Sequence, residues 1–130
     1  MTNNFEGALN ELAQKVYEAN KAKGFHDKGR PFAETCMLVV SELSEAVEAD
    51  RNGEYANLEA FDKNEGIVPF AEAFKTNIKD TVEDELADAV IRLLDEAGRR
   101  GMDIEKHIFL KLQYNKTRPR LHGKTYWLLS

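Results

Sequence analysis

The chain has 130 residues, 23 acidic against 18 basic, and a formal charge of −5; that length suits one domain with a real hydrophobic core and is short for two. An acidic balance disfavours general binding to nucleic acid or to an anionic membrane, so an anionic ligand would need a local group of cations. The single cysteine, Cys36, cannot form an internal disulfide and has no second thiol or metal-ligand histidine beside it, which fits a reduced, cytoplasmic setting.

The opening MTNNFEGALNELAQKV has neither a basic start nor an uninterrupted apolar run. No later window approaches the roughly 20 apolar residues that span a bilayer. Phe5, Leu9, Leu12 and Val16 recur at helical spacing, which predicts an amphipathic helix from about Phe5 to Lys23, ended near Gly24. After the turn GFHDKGRP, Pro31 suits the start of a second helix, Phe32 to about Arg51, stopped by Asn52-Gly53. Residues Gly53 to Asn77, with Gly66, Pro69 and only short periodic pieces (Tyr55 to Phe61, Phe70 to Phe74), read as a long connector holding short helices.

From Ile78 to Arg100 the stripe Val82, Leu86, Ala89, Val90, Leu93 and Ala97 predicts a third long helix, stopped by Gly101. Asp103 can cap a fourth, carrying Ile104, Ile108 and Leu112 and ended by Pro119. A basic tail follows and closes on TYWLLS, where Tyr126 and Trp127 suit core or interface anchors. Strand-like alternation is absent outside that ending, so the expected class is all-α.

The segment SELSEAVEAD places Glu42 and Glu45 three residues apart. At about 100° per residue they share one helix face, roughly 60° apart. Val39, Leu43, Ala46 and Val47 fill the arc on the other side, so the pair borders the expected core. DELADAV repeats the arrangement with Glu85 and Asp88 beside the stripe of the third long helix. If the two helices pack as antiparallel neighbours, four carboxylates converge in a partly dry place, where their repulsion demands protons or cations.

Oxygen-only ligands suit Mg²⁺ or Mn²⁺ rather than zinc, and no Glu-x-x-His pair of the di-iron kind occurs. Acidic residues on a helix normally form a solvated face, and either pair alone would be read so. Two pairs set alike against apolar stripes fit a site better. Glu48, Glu83, Asp84 and Glu96 read mainly as surface charges, with Asp84 and Glu48 the candidates for an outer layer around the acidic site, and Arg92 as an ion-pair partner of Asp88 or Glu96 along its own helix.

Cations concentrate in KLQYNKTRPRLHGK, where Lys111, Asn115 and Arg118 fall on one helical face and can meet an anion together. Basic residues near a helix C-terminus also suit the macrodipole. One nearby aromatic, Tyr114, makes no stacking platform, so nucleic-acid binding is not expected. No Walker-type loop, nucleophile elbow or zinc motif is present.

This pattern resembles the MazG-type, all-α nucleoside triphosphate pyrophosphohydrolases, whose signature is Glu-x-x-Glu on one helix and Glu-x-x-Asp on another, here Glu42, Glu45, Glu85 and Asp88. The resemblance runs from about Phe32 to Lys124 and includes Lys111, Asn115 and Arg118 as Lys-x-x-x-Asn-x-x-Arg, then HGK at His122 to Lys124. The interval between Glu45 and Glu85 exceeds the family's usual spacing, which makes 53–77 an insertion, either a lid or an oligomer contact.

The resemblance implies a four-helix-bundle-like fold and Mg²⁺-dependent cleavage of a nucleoside triphosphate to monophosphate and pyrophosphate. Glu42, Glu45, Glu85 and Asp88 would be the metal ligands, with Glu42 or Glu45 alternatively the general base. Lys111 and Arg118 would offset charge on the leaving pyrophosphate. A homodimer or homotetramer is implied, in which neighbouring subunits complete the pocket. For base recognition the turn offers Phe25 for stacking and His26, Lys28 and Arg30 as polar contacts. The rival reading is a non-catalytic helical module of the same fold that binds a nucleotide or a protein partner.

Overall fold

In the computed structural model residues 6–123 are described. Phe5, Lys124, Tyr126, Trp127 and the side chain of His122 lie outside what is described. The helices are α1 (Ala8–Ala22), α2 (Phe32–Arg51), α3 (Leu58–Asn64), α4 (Phe70–Asn77), α5 (Val82–Arg100) and α6 (Ile104–Thr117), followed by a 3₁₀ turn, Arg120–Gly123. Among the described residues there is no strand, only an isolated bridge between Glu65 and Val68, and no helix long and apolar enough to cross a membrane.

The third long helix begins later than its apolar pattern suggests. Residues Ile78 to Thr81 form a turn in which the Thr81 hydroxyl donates to the Ile78 carbonyl at 2.6 Å and accepts from the Asp84 amide at 3.3 Å. A threonine that satisfies the first free amide makes Val82 the better start. At the other end Gly101 takes the left-handed conformation, φ 66°, that closes a helix without a β-carbon clash.

α5 is the central helix, packed along α2 on one side and α1 on the other, while α6 reaches α1. Two helix ends cap one another. The Glu105 carboxylate of α6 accepts from the Gly7 and Leu9 amides at the start of α1, at 2.9 and 3.0 Å. In return Asn10 of α1 accepts from the Glu105 amide at 3.1 Å and donates to Asp103 at 2.7 Å. Asp103 also caps its own helix through the Lys106 amide, as its position predicts. α3 and α4 form a hairpin of their own. Its base is closed by the Asn57 amide on the Asn77 carbonyl and the Val82 amide on the Glu54 carbonyl. Phe61, Phe70 and Phe74 pack as an aromatic row within it.

The core keeps the small members of the expected stripes, Ala46, Ala89 and Ala97, and corrects the expectation for the larger ones. Ala13, Leu94 and Ala97 form the buried cluster between α1 and α5, with Leu9, Val16 and Ile104 packed on it. On α2 and the facing part of α5, Ala46, Ala49 and Ala89 are buried, whereas Leu43, Val47, Leu86, Val90 and Leu93 stay largely exposed, Leu93 at 57%. Small side chains let helix axes approach closely, and the branched ones flanking that seam then fall outside it.

Candidate functional site

The α2–α5 seam that buries the alanines also fixes the acidic pairs. Glu42 and Glu85 are both buried, at 8% and 6% exposure, and Glu45 is exposed. One carboxylate oxygen from each of Glu42, Glu45 and Glu85 lies within 4.8 Å of the others. Asp88, one helical turn beyond Glu85, is half-buried.

Burial raises the Glu85 carboxyl to about 8, and its hydrogen bonds to Glu45 and Glu42 and their charges act in the same direction. Burial also raises Asp88, helped by the charges of Asp84, Glu42 and Glu45 and opposed by Arg92. Carboxylates forced this close hold a proton or share a cation. Three converging oxygens with no nitrogen or sulfur donor fit a hard divalent ion such as Mg²⁺ or Mn²⁺. A neighbouring trio of Asp80, Asp84 and Glu85 is similarly close. There Lys79 pairs with Asp80, and Asp84 accepts from the Asp80 amide.

Arg92 does not join Asp88 or Glu96 as its helical spacing suggests. Its Nε and Nη2 both donate to Oε1 of Glu42, across the seam, at 3.0 and 2.9 Å. Glu96 is taken instead by Arg99 and Arg100, which hold its carboxyl below the usual range.

A cleft of about 360 Å³ opens beside this cluster. α5 lines it with Asp88, Ile91, Arg92 and Asp95, and α2 with Thr35, Leu38 and Glu42. Asn20, at the end of α1, and Phe25 and Arg30 of the α1–α2 loop complete it. Phe25 is 62% exposed and also lines an adjoining cleft of about 340 Å³ that includes His26, Tyr17 and Arg99.

His26 is engaged from two sides. Its Nε2 lies 2.8 Å from the Asp95 carboxylate, and its ring meets Tyr17 edge to face at 5.1 Å. The loop carrying Phe25 is thereby tied to α5.

Comparison of the chain with protein-family models, with curated proteins and with solved structures gives no match. The chemistry of the site rests on its own residues.

Of the positions singled out in the sequence, Glu42, Glu45 and Glu85 come together, and Asp88 and Phe25 share the cleft with Glu42. Lys111, Asn115 and Arg118 stand on and just after α6 and line neither cleft. Lys111 and Arg118 sit over the Tyr114 ring, at 5.4 and 5.9 Å from its centroid. The α3–α4 hairpin, which falls within the 53–77 connector, lines neither cleft as well. Sequence reasoning missed Asp95, and it gave Arg92 the wrong partner. A signal for both exists in the run DAVIRLLD, where Asp88, Arg92 and Asp95 fall at i, i+4 and i+7 on one face.

Proposed function

We propose that the chain is a MazG-type nucleoside triphosphate pyrophosphohydrolase with a four-helix-bundle-like fold, cleaving its substrate between the α and β phosphates to monophosphate and pyrophosphate. The observation that carries this reading is the convergence of Glu42, Glu45 and Glu85 within 4.8 Å, beside a cleft that also holds Asp88. The cleft's volume, about 360 Å³, falls in the range of small-molecule sites.

Glu42, Glu45, Glu85 and Asp88 would hold Mg²⁺ or Mn²⁺, which when bound polarises phosphate oxygens and lowers the pKa of water. Glu45 is the exposed member of the trio and is the one that would, instead of ligating, take the proton of the attacking water as general base. Phe25, exposed at the cleft edge, stacks on the base, and the tie between His26 and Asp95 holds its loop. Arg30 supplies positive charge from that loop. Lys111, Asn115 and Arg118 serve the pyrophosphate of a neighbouring subunit in a homodimer or homotetramer. The exposed apolar side chains of α2 and α5 give such an assembly a surface to bury. Control of the nucleotide pool is the corresponding role.

Phosphorus NMR of products from a panel of canonical and modified nucleoside triphosphates, with and without Mg²⁺, tests the reaction. Metal-dependent monophosphate plus pyrophosphate is expected; diphosphate plus orthophosphate would mean a different bond is cut.

A second reading is favoured by the way the cluster already neutralises itself, with Arg92 on Glu42 and a proton favoured on Glu85. Such a cluster can serve a non-catalytic helical module that binds a nucleotide or a partner. That module would keep its ligand binding in Glu42→Gln, whereas the enzyme loses turnover.

A further inference from the structure

Arg92 stands at the junction of the acidic cluster and the cleft. It lines the cleft, its side chain is 34% exposed, and the Glu42 carboxylate it holds is far more buried. Two of its five N–H donors go to a single oxygen, Oε1 of Glu42; a guanidinium fork is better matched to two oxygens of a phosphate or carboxylate. The contact is therefore electrostatically strong and geometrically incomplete. That same Glu42 belongs to the trio of converging carboxylates, so a divalent cation entering the cluster and the guanidinium compete for one set of negative charges.

We propose that Arg92 is a phosphate ligand held on Glu42 in the metal-free protein and released to the substrate when a divalent cation takes its place. The inference rests on the metal-dependent reading of the site given above. Glu42 is buried and constrained by the seam, whereas Arg92 is long, partly exposed and at the cleft wall, so the arginine is the partner that moves. Its release puts positive charge into the cleft only once the metal has arrived. Metal and anion then bind with positive coupling, each favouring the state the other needs. The resting contact also keeps a buried carboxylate paired while the site is empty of substrate.

The test is binding, not turnover. Mn²⁺ titrations by calorimetry on the full chain are compared for the native protein, Arg92→Met and Arg92→Lys. Inorganic triphosphate binding at saturating Mn²⁺ is then measured for each; that probe carries no base, so base preference does not enter. Arg92→Met should bind Mn²⁺ about tenfold tighter, because a competing cation is gone, and bind triphosphate about tenfold or more weaker, because a charge-assisted contact is lost.

Arg92→Lys keeps the charge, so its Mn²⁺ affinity should stay within about threefold of native while triphosphate binding falls part-way, since lysine lacks the fork. If Arg92→Met fails to fold, Arg92→Lys alone carries this split. Unchanged affinities, weaker Mn²⁺ binding in Arg92→Met, or no Mn²⁺ binding by the native protein would each overturn the handover. Intact handover with no hydrolysis of any nucleoside triphosphate would sink the pyrophosphohydrolase alone. Intact hydrolysis with Arg92 variants indistinguishable from native in both titrations would sink the handover alone.

Discussion

A β-carbon on Gly98 of α5 would stand 2.5 Å from the carbonyl oxygen of Ala13 on α1, and 2.9 Å from the β-carbon of Tyr17. The two helices therefore touch backbone to side-chain stem, and Gly98 is what permits it. In an open helix Gly→Ala gains up to about 1 kcal/mol from helix propensity. Here the clash is with backbone that cannot step aside, and overpacking of this kind costs roughly 1–3 kcal/mol. Gly98→Ala should lower the midpoint of urea unfolding; a midpoint equal to or above native would show that α1 shifts freely.

Glu105, 3% exposed, accepts from the Gly7 and Leu9 amides, and α1 has no side-chain cap of its own at Gly7. Glu105→Ala should destabilise the protein by about 1–3 kcal/mol, the cost of leaving such donors unpaired. Hydrogen exchange localises the effect: amides in the first turn of α1 should lose protection before those of α2. Glu105→Gln keeps an acceptor and should lose less.

The acidic cluster makes stability depend on pH in a stated direction. Glu85 holds its proton up to about 8 in the folded chain against an ordinary value of 4.5. The folded state thus binds more protons than the unfolded state across that window, and stability falls as pH rises from about 4.5 to 8. Asp88 is shifted in the same direction. Melting temperature of metal-free protein should decline across this range, and Glu85→Gln should flatten the decline and melt higher than native at pH 8, by roughly 4 °C or more. If the cluster is the proposed metal site, saturating Mg²⁺ should also raise the native melting temperature at pH 8, because a ligand of the folded state alone shifts unfolding. A pH-independent melt would remove the case for a strained cluster.

On the proposed reading Asp88 and Glu45 both bear on activity. Asp88→Asn and Glu45→Gln should each lower kcat/KM by roughly 100-fold or more, the scale of losing one electrostatic stabiliser or a general base. Phe25→Ala should mainly raise KM, as expected for a group that binds without taking part in bond breaking. Steady-state kinetics on the best substrate from the product survey would check both, and a loss under threefold at either carboxylate would remove it from the site.

Much of the chain was legible in one dimension. Helix periodicity, Gly101 as a stop, Asp103 as a cap and the glycine- and proline-marked connector all act over a few residues, so sequence spacing encodes them directly. The acidic pairs were legible for the same reason, since residues three apart share a helix face wherever the helix sits.

What spacing could not decide was which stripe is covered and which charges meet. Of the stripes that look like core on a helical wheel, Ala46 and Ala89 are covered, joined by Ala49, while Leu43, Val47, Leu86, Val90 and Leu93 beside them are not. Close approach depends on both helices at once, and Gly98 against Ala13 is the same effect. Arg92 had partners in reach along its own helix and took Glu42 across the seam, where a buried carboxylate makes the stronger demand for a counter-charge. By itself the sequence determined the helices, their stops at Gly101 and Pro119 and the faces on which carboxylates stand, because those follow from local geometry. The start of α5 at Val82, in contrast, was set by the Thr81 turn. The tertiary structure alone decided that Glu42, Glu45 and Glu85 share one space and that Arg92 and Asp95 border it, because distance between helices is set by packing.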